Sequence, residues 1–172
     1  MAVLYYPIWD TAVFGAAANT EFLLFQVAQQ GDATHTESFT NSRGAGVFPA
    51  SESYLIKKVS VVVDFNILQA NAQTWYVGAF LEIRVSDVIR FKAPLQLLMD
   101  ASAFGGASST TAGANQNTVG LLGDGFELPP DRFINVPGGA PWKVRVFQVT
   151  AAAASSNIKV VLQGDLTIPG QS

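Results

Sequence analysis

The sequence predicts an all-β fold, an antiparallel β-sandwich or barrel of about eight strands. Three observations carry that prediction: apolar residues alternate with period two, Gly- and Pro-rich segments separate the alternating runs, and no long span shows helical periodicity. Val59, Val61, Val63 and Phe65 share one face of a strand, with Ser60, Val62 and Asp64 on the other. Val77, Ala79, Leu81, Ile83 and Val85 form one face of a longer strand, opposite Glu82, Arg84 and Ser86. The pattern changes register near Asp87 and resumes as Ile89, Phe91 and Ala93 against Arg90 and Lys92, so Ser86 to Val88 is expected to be a tight turn or a bulge. Trp142, Val144 and Val146 oppose Lys143, Arg145 and Phe147. Ile158, Val160, Leu162, Leu166 and Ile168 oppose Lys159, Gln163 and Thr167. Shorter strands are expected within 21–28, 36–40, 95–99, 118–122 and 132–136, and loops over 44–49, 101–117, 123–130 and 136–141. The 101–117 loop exceeds the usual connection of about 4 to 6 residues and is small, polar and uncharged, a composition that flexes in solvent unless a neighbour fixes it.

Composition bounds the chemistry. The chain has 172 residues, enough for one domain over 1–172 with a sizeable core, and residues 1–18 read as an N-terminal arm ahead of the first clear strand. Only 13% of residues are charged, against roughly 25% in an average soluble domain. A net charge of −3 gives no positive field for a specific nucleic-acid binder. Without cysteine there is no disulfide, thiolate nucleophile or Cys-based metal site, and a single histidine rules out sites built from several imidazoles. The first basic residue is Arg43, which argues against a standard secretory signal, and no apolar run is long enough for a membrane-spanning helix.

Candidate sites are few, and each has a plainer reading. Asp32, His35 and Glu37 offer one nitrogen and two oxygen ligands, but a lone histidine in a polar loop is usually solvated. Asp124, Glu127 and Asp131 form an acidic group with no EF-hand spacing, and acidic residues in turns mostly cap backbone amides. Gly120, Gly123 and Gly125 lack the Gly-Lys-Ser/Thr of a phosphate loop, and no Gly-x-Ser-x-Gly elbow occurs. No enzymatic activity and no cofactor are expected. Trp75 beside Tyr76 would suit sugar stacking if exposed, whereas Trp142 lies on an apolar face and belongs to the core. The pairs Arg90 with Lys92 and Lys143 with Arg145 are read foremost as charges that keep strand edges from pairing with other chains, ahead of contacts with lipid headgroups or nucleic acid.

Ser, Thr, Asn, Gln, Ala and Gly take the place of charge on the exterior, and interface cores are depleted in Lys, Glu and Asp. Such a surface suits a protein packed among copies of itself. The apolar, aromatic start either caps the barrel or docks on a neighbouring subunit, and Tyr5, Tyr6, Ile8 and Trp9 are the candidate subunit-interface residues. On that reading, removal of residues 1–9 leaves a folded monomer that cannot assemble. The competing reading is a carbohydrate-binding or receptor-type module.

In length, lack of cysteine, strand-rich pattern and apolar N-terminal segment, the chain resembles the smaller major capsid protein of tailless, icosahedral, internal-membrane bacteriophages of Thermus and of related haloarchaeal viruses. Residues 54–65, 76–94 and 142–150 are the strand segments that would align. The resemblance implies an eight-stranded single jelly roll in the capsid of a virion assembled in the host cytoplasm. It also implies a homo-oligomer, a dimer, that co-assembles with a second, larger major capsid protein over an internal viral membrane.

Overall fold

The computed structural model describes residues 2–15, 17–27, 40–42, 44–63, 74, 78–98, 125–151 and 155–169. Along the chain run β1 (Ala2–Tyr5), β2 (Ile8–Phe14), β3 (Thr20–Leu24), β4 (Ser53–Val63), β5 (Ala79–Val85), β6 (Val88–Pro94), a single helical turn α1 (Leu95–Leu98) and β7 (Phe126–Glu127). A 3-10 turn at Pro130–Arg132, β8 (Ile134–Pro137), β9 (Trp142–Gln148) and β10 (Ser156–Ile168) complete it.

These elements form an open sandwich of two antiparallel sheets. In the six-stranded sheet β1 and β2 pair end to end along one edge of β10, β10 pairs with β4, and β7 and β8 line the far edge of β4. The four-stranded sheet runs β3, β9, β5, β6. Counted as one interrupted strand each, β1/β2 and β7/β8 leave four strands per sheet, and every connection except the β5–β6 hairpin crosses between sheets. That winding is the one an eight-stranded jelly roll follows.

The expected inward faces build the core. Ala79, Leu81, Ile83 and Val85 on β5, Trp142, Val144 and Val146 on β9, and Ile158, Val160, Leu162 and Leu166 on β10 are all buried. In β4, Tyr54 and Ile56 are buried together with Val59 and Val61, a combination that strict alternation forbids. The explanation is a bulge. Gln163 pairs with Lys58 and Gly164 with Ile56, so Lys57 is an extra residue that reverses the parity of the strand. Gly164 is needed at this point because a Cβ there would lie 2.0 Å from the Leu55 carbonyl oxygen.

Several expected elements change in detail. Ser86 and Asp87 have φ of 50° and 61°, the two left-handed residues of a tight hairpin turn, and Arg90 is an extra residue because Ile83 pairs with Phe91 and Arg84 with Ile89. The strand expected over 95–99 is the helical turn α1: Pro94 ends β6, and Leu95 and Leu98, three apart, bury one helical face. The 21–28 strand stops at Leu24, where Phe25 turns to φ 62°. The 132–136 strand starts at Ile134, after the 3-10 turn. The strand expected at 118–122 and the 101–117 loop lie outside the described residues, as does the strand expected at 36–40 except for Thr40, which belongs to no strand. Among the described residues no helix is long and apolar enough to cross a membrane.

The segment read as an arm is part of the sheet: residues 2–5 and 8–14 are strands on β10. Asp10 hid β2 in the sequence by breaking its apolar face between Ile8 and Ala12. Its carboxylate accepts hydrogen bonds from the Thr11 and Phe25 amides, joining β2 to the point where the chain leaves β3.

Candidate interaction surface

The four residues expected at a subunit interface do not form one group. Period two in β2 sends Ile8 inward, where it is 2% exposed and belongs to the core. Ile8, expected among the subunit contacts, is therefore a core residue on a strand. Trp9 faces the other way and is half-buried. Tyr6, between the two strands, donates its amide to the Gly164 carbonyl at 2.8 Å. Tyr5 projects from β1, and its hydroxyl donates to Gln163 Oε1 at 2.6 Å. The join is held by Tyr54, whose buried hydroxyl lies 2.6 Å from the Tyr6 carbonyl and 2.9 Å from that of Leu162. Burial pushes the Tyr54 phenol far above its ordinary value, so it stays a donor throughout the working pH range. Removing residues 1–9 would thus strip β1 and an inward core side chain from the fold, and it cannot serve as a clean assembly test.

A sandwich has four strand edges, and they differ in what protects them. Along β2, Asn41 acts as a cover: its Oδ1 accepts from the Trp9 amide at 2.7 Å, its amide donates to the Trp9 carbonyl at 3.1 Å, and its Nδ2 donates to the Pro7 carbonyl at 2.9 Å. The β7/β8 edge bears Glu127 and Pro137, with Asp131 and Arg132 between them. On β3, Glu21 is tied to Arg145 on β9. β6 has Arg90 as its bulge residue and Lys92. β1 has no such device among the described residues. Val3, Leu4 and Tyr5 are 60%, 45% and 63% exposed, and no charged side chain occurs before Asp10.

The outer face of the four-stranded sheet carries the main electrostatic structure. Glu82 is buried, and its carboxylate accepts from Arg84 at 3.0 Å, Lys92 at 2.9 Å and Arg145 at 3.2 Å. Arg145 also binds Glu21 through both arms of its guanidinium. Burial alone would raise the Glu82 carboxyl, but the bonds from Lys92 and Arg84 outweigh it and hold the group below the usual carboxylate range. The Arg145 hydrogen bond likewise lowers Glu21. Lys92 further lies 4.3 Å from the centre of the Phe80 ring, which itself packs on Phe147. The reading of paired basic residues as edge protection therefore divides. It suits Arg90 and Lys92 on the edge strand β6, but Lys143 and Arg145 lie on β9, flanked by β3 and β5, where Arg145 joins this network and Lys143 meets Asp87 at 3.2 Å.

Other candidates bring little chemistry together. Glu127 is exposed, and Asp131 pairs with Arg132 at 3.5 Å. No cluster of three metal-ligating side chains occurs among the described residues. Asp32, His35, Glu37, Trp75, Tyr76 and Asp124 lie outside them. A cleft of about 280 Å³ is lined by Gln26, Gly46, Arg84, Asp87, Trp142 and Lys143. The Trp142 ring itself is packed between Phe25 and Phe48, with centroids 5.1 and 5.4 Å away. Sequence reasoning missed the burial of Glu82 and the covering role of Asn41, because both depend on partners on other strands. No protein-family model, curated protein or solved structure matches the chain.

Proposed function

We propose that this chain is a structural coat subunit, a jelly-roll block that associates with copies of itself and with a second, larger coat protein in an icosahedral viral shell. The observation that carries the reading is the bare edge: exposed apolar residues collect on β1, uncharged, in a chain whose other edges are charged or covered. The sparsely charged composition supports it, since interface cores disfavour Lys, Glu and Asp. In this role the two sheets set the shape of a rigid block, and lateral contacts that are weak one at a time become strong when repeated around a closed shell. No catalytic residue takes part. A sugar-binding role would need an open aromatic platform; the candidate for one, Trp75 beside Tyr76, lies outside the described residues, and Trp142, expected in the core, is packed on other rings.

Size-exclusion chromatography with light scattering, from micromolar to millimolar protein, tests the proposal, with a glycan array run in parallel. A mass that grows with concentration and an empty array support the coat reading. A monomer at every concentration overturns it, and a defined glycan bound by that monomer favours the sugar-binding reading.

A further inference from the structure

The bare edge also has a geometry that specifies its partner. In an antiparallel ladder, residues that exchange hydrogen bonds alternate with residues whose amide and carbonyl point the other way. The Tyr6 amide bonds the Gly164 carbonyl, so in the same register Leu4 exchanges bonds with Leu166 and Ala2 with Ile168. Val3 and Tyr5, opposite Thr167 and Asp165, therefore turn their N–H and C=O groups away from β10, and those groups have no backbone partner among the described residues. Leu4 shares a face with Leu166, yet it is 45% exposed where Leu166 is 2%: the core ends at β10, and β1 extends past it.

We infer that β1 pairs with β1 of a second copy across a two-fold axis, joining two six-stranded sheets into one continuous sheet. This rests on the coat reading in taking self-association as the chain's function, and it names the contact. Two independent features select a second copy as the occupant. At a two-fold axis the residue on the axis faces its own equivalent and each of its neighbours lies within two residues of its own, so a charged side chain there would sit beside a like charge, and this segment has none before Asp10. The outward groups also match themselves: with Leu4 on the axis, Val3 of one copy exchanges hydrogen bonds with Tyr5 of the other, and Tyr5 with Val3. Leu4 then faces Leu4 of the partner as a non-hydrogen-bonded pair, with Cα atoms about 4.5 Å apart. Val3 and Tyr5 of both copies continue the outer face, and the two Leu4 side chains cover each other on the inner one.

The chain has no cysteine, so one introduced thiol reports the pairing without background. The separation at the axis falls within the range of about 4.4 to 6.8 Å that a disulfide bridges. Under mild oxidation the full-length Leu4→Cys chain is expected to shift from monomer to disulfide-linked dimer on a non-reducing gel, whereas Tyr5→Cys stays monomeric because Tyr5 faces Val3 of the partner and its own equivalent lies two residues further along the strand. Val3→Pro is the complementary variant: it deletes an outward amide that β10 does not use, so the fold is kept while the dimer in light scattering is lost. If the native chain oligomerises but Leu4→Cys fails to cross-link, or Val3→Pro leaves the dimer intact, the β1 contact is wrong while the coat reading stands. If the native chain is a monomer at millimolar concentration, both fail.

Discussion

β1 and β6 are both edge strands with large apolar side chains in solvent, and they present opposite surfaces to a neighbouring chain. Val88 and Ile89 on β6 are 50% and 47% exposed, comparable to Val3 and Leu4 on β1. What separates the two strands is charge and shape. β6 bends at the Arg90 bulge, and Lys92 is held by the buried Glu82 carboxylate and the Phe80 ring. A strand laid against β6 would have to follow the bulge and approach two cations, whereas β1 is short, regular and uncharged. Exposed apolar area alone therefore says little about where a sandwich meets a partner; the absence of a guard says more.

The largest way to break the contrast is to remove the group that fixes the guard. Glu82→Ala leaves Arg84, Lys92 and Arg145 facing one another around an empty position. The expected loss is about 3 kcal/mol in urea unfolding, the low end for a broken buried ion pair because the cations stay partly in water. On the β1 side, Tyr54→Phe removes the donor shared by the Tyr6 and Leu162 carbonyls. A cost of about 1 to 2 kcal/mol is expected, with faster amide exchange in β1 than in β6 as its signature.

Acid acts on the guarded sheet selectively. Glu82 and Glu21 have folded-state values below the ordinary carboxylate value of 4.5, so their stabilisation is complete above that value and is lost as pH falls through the lower folded-state values. Urea midpoints measured from neutral to acid pH should fall below about pH 4.5, and less steeply in Glu82→Ala than in the native chain. The smallest expected effect on stability, within about 0.5 kcal/mol, comes from Arg90→Thr, an exposed bulge residue whose loss spares the Lys92–Glu82 pair. Its readout is association: with the bulge cation gone, β6 should begin to pair, and light scattering should show species beyond those of the native chain.

The strands of the core were legible because each is long and has one apolar face: β5, β9 and β10 could be read residue by residue. β2 was not, since Asp10 occupies an inward position for a reason that lies in the Phe25 amide, more than ten residues away in sequence. The parity change in β4 was equally hidden, because a bulge is a relation between Lys57 and the facing pair Gln163 and Gly164. Of the expected interface residues, Tyr5 is on the bare edge and Ile8 is in the core, and only the face that each side chain takes on the strands beside β10 separates them. The neighbours Val3 and Leu4 were visible merely as apolar residues.

Residue-resolved amide exchange by NMR across a dilution series reads the contrast most directly. At high concentration the Val3 and Tyr5 amides should become protected, and dilution should release them, while Leu4, bonded to β10, stays protected throughout and the outward amides of β6 exchange at every concentration. Concentration-independent exchange at Val3 and Tyr5, or protection that appears on β6 instead, would contradict the assignment of β1 as the edge where this chain meets its own copies.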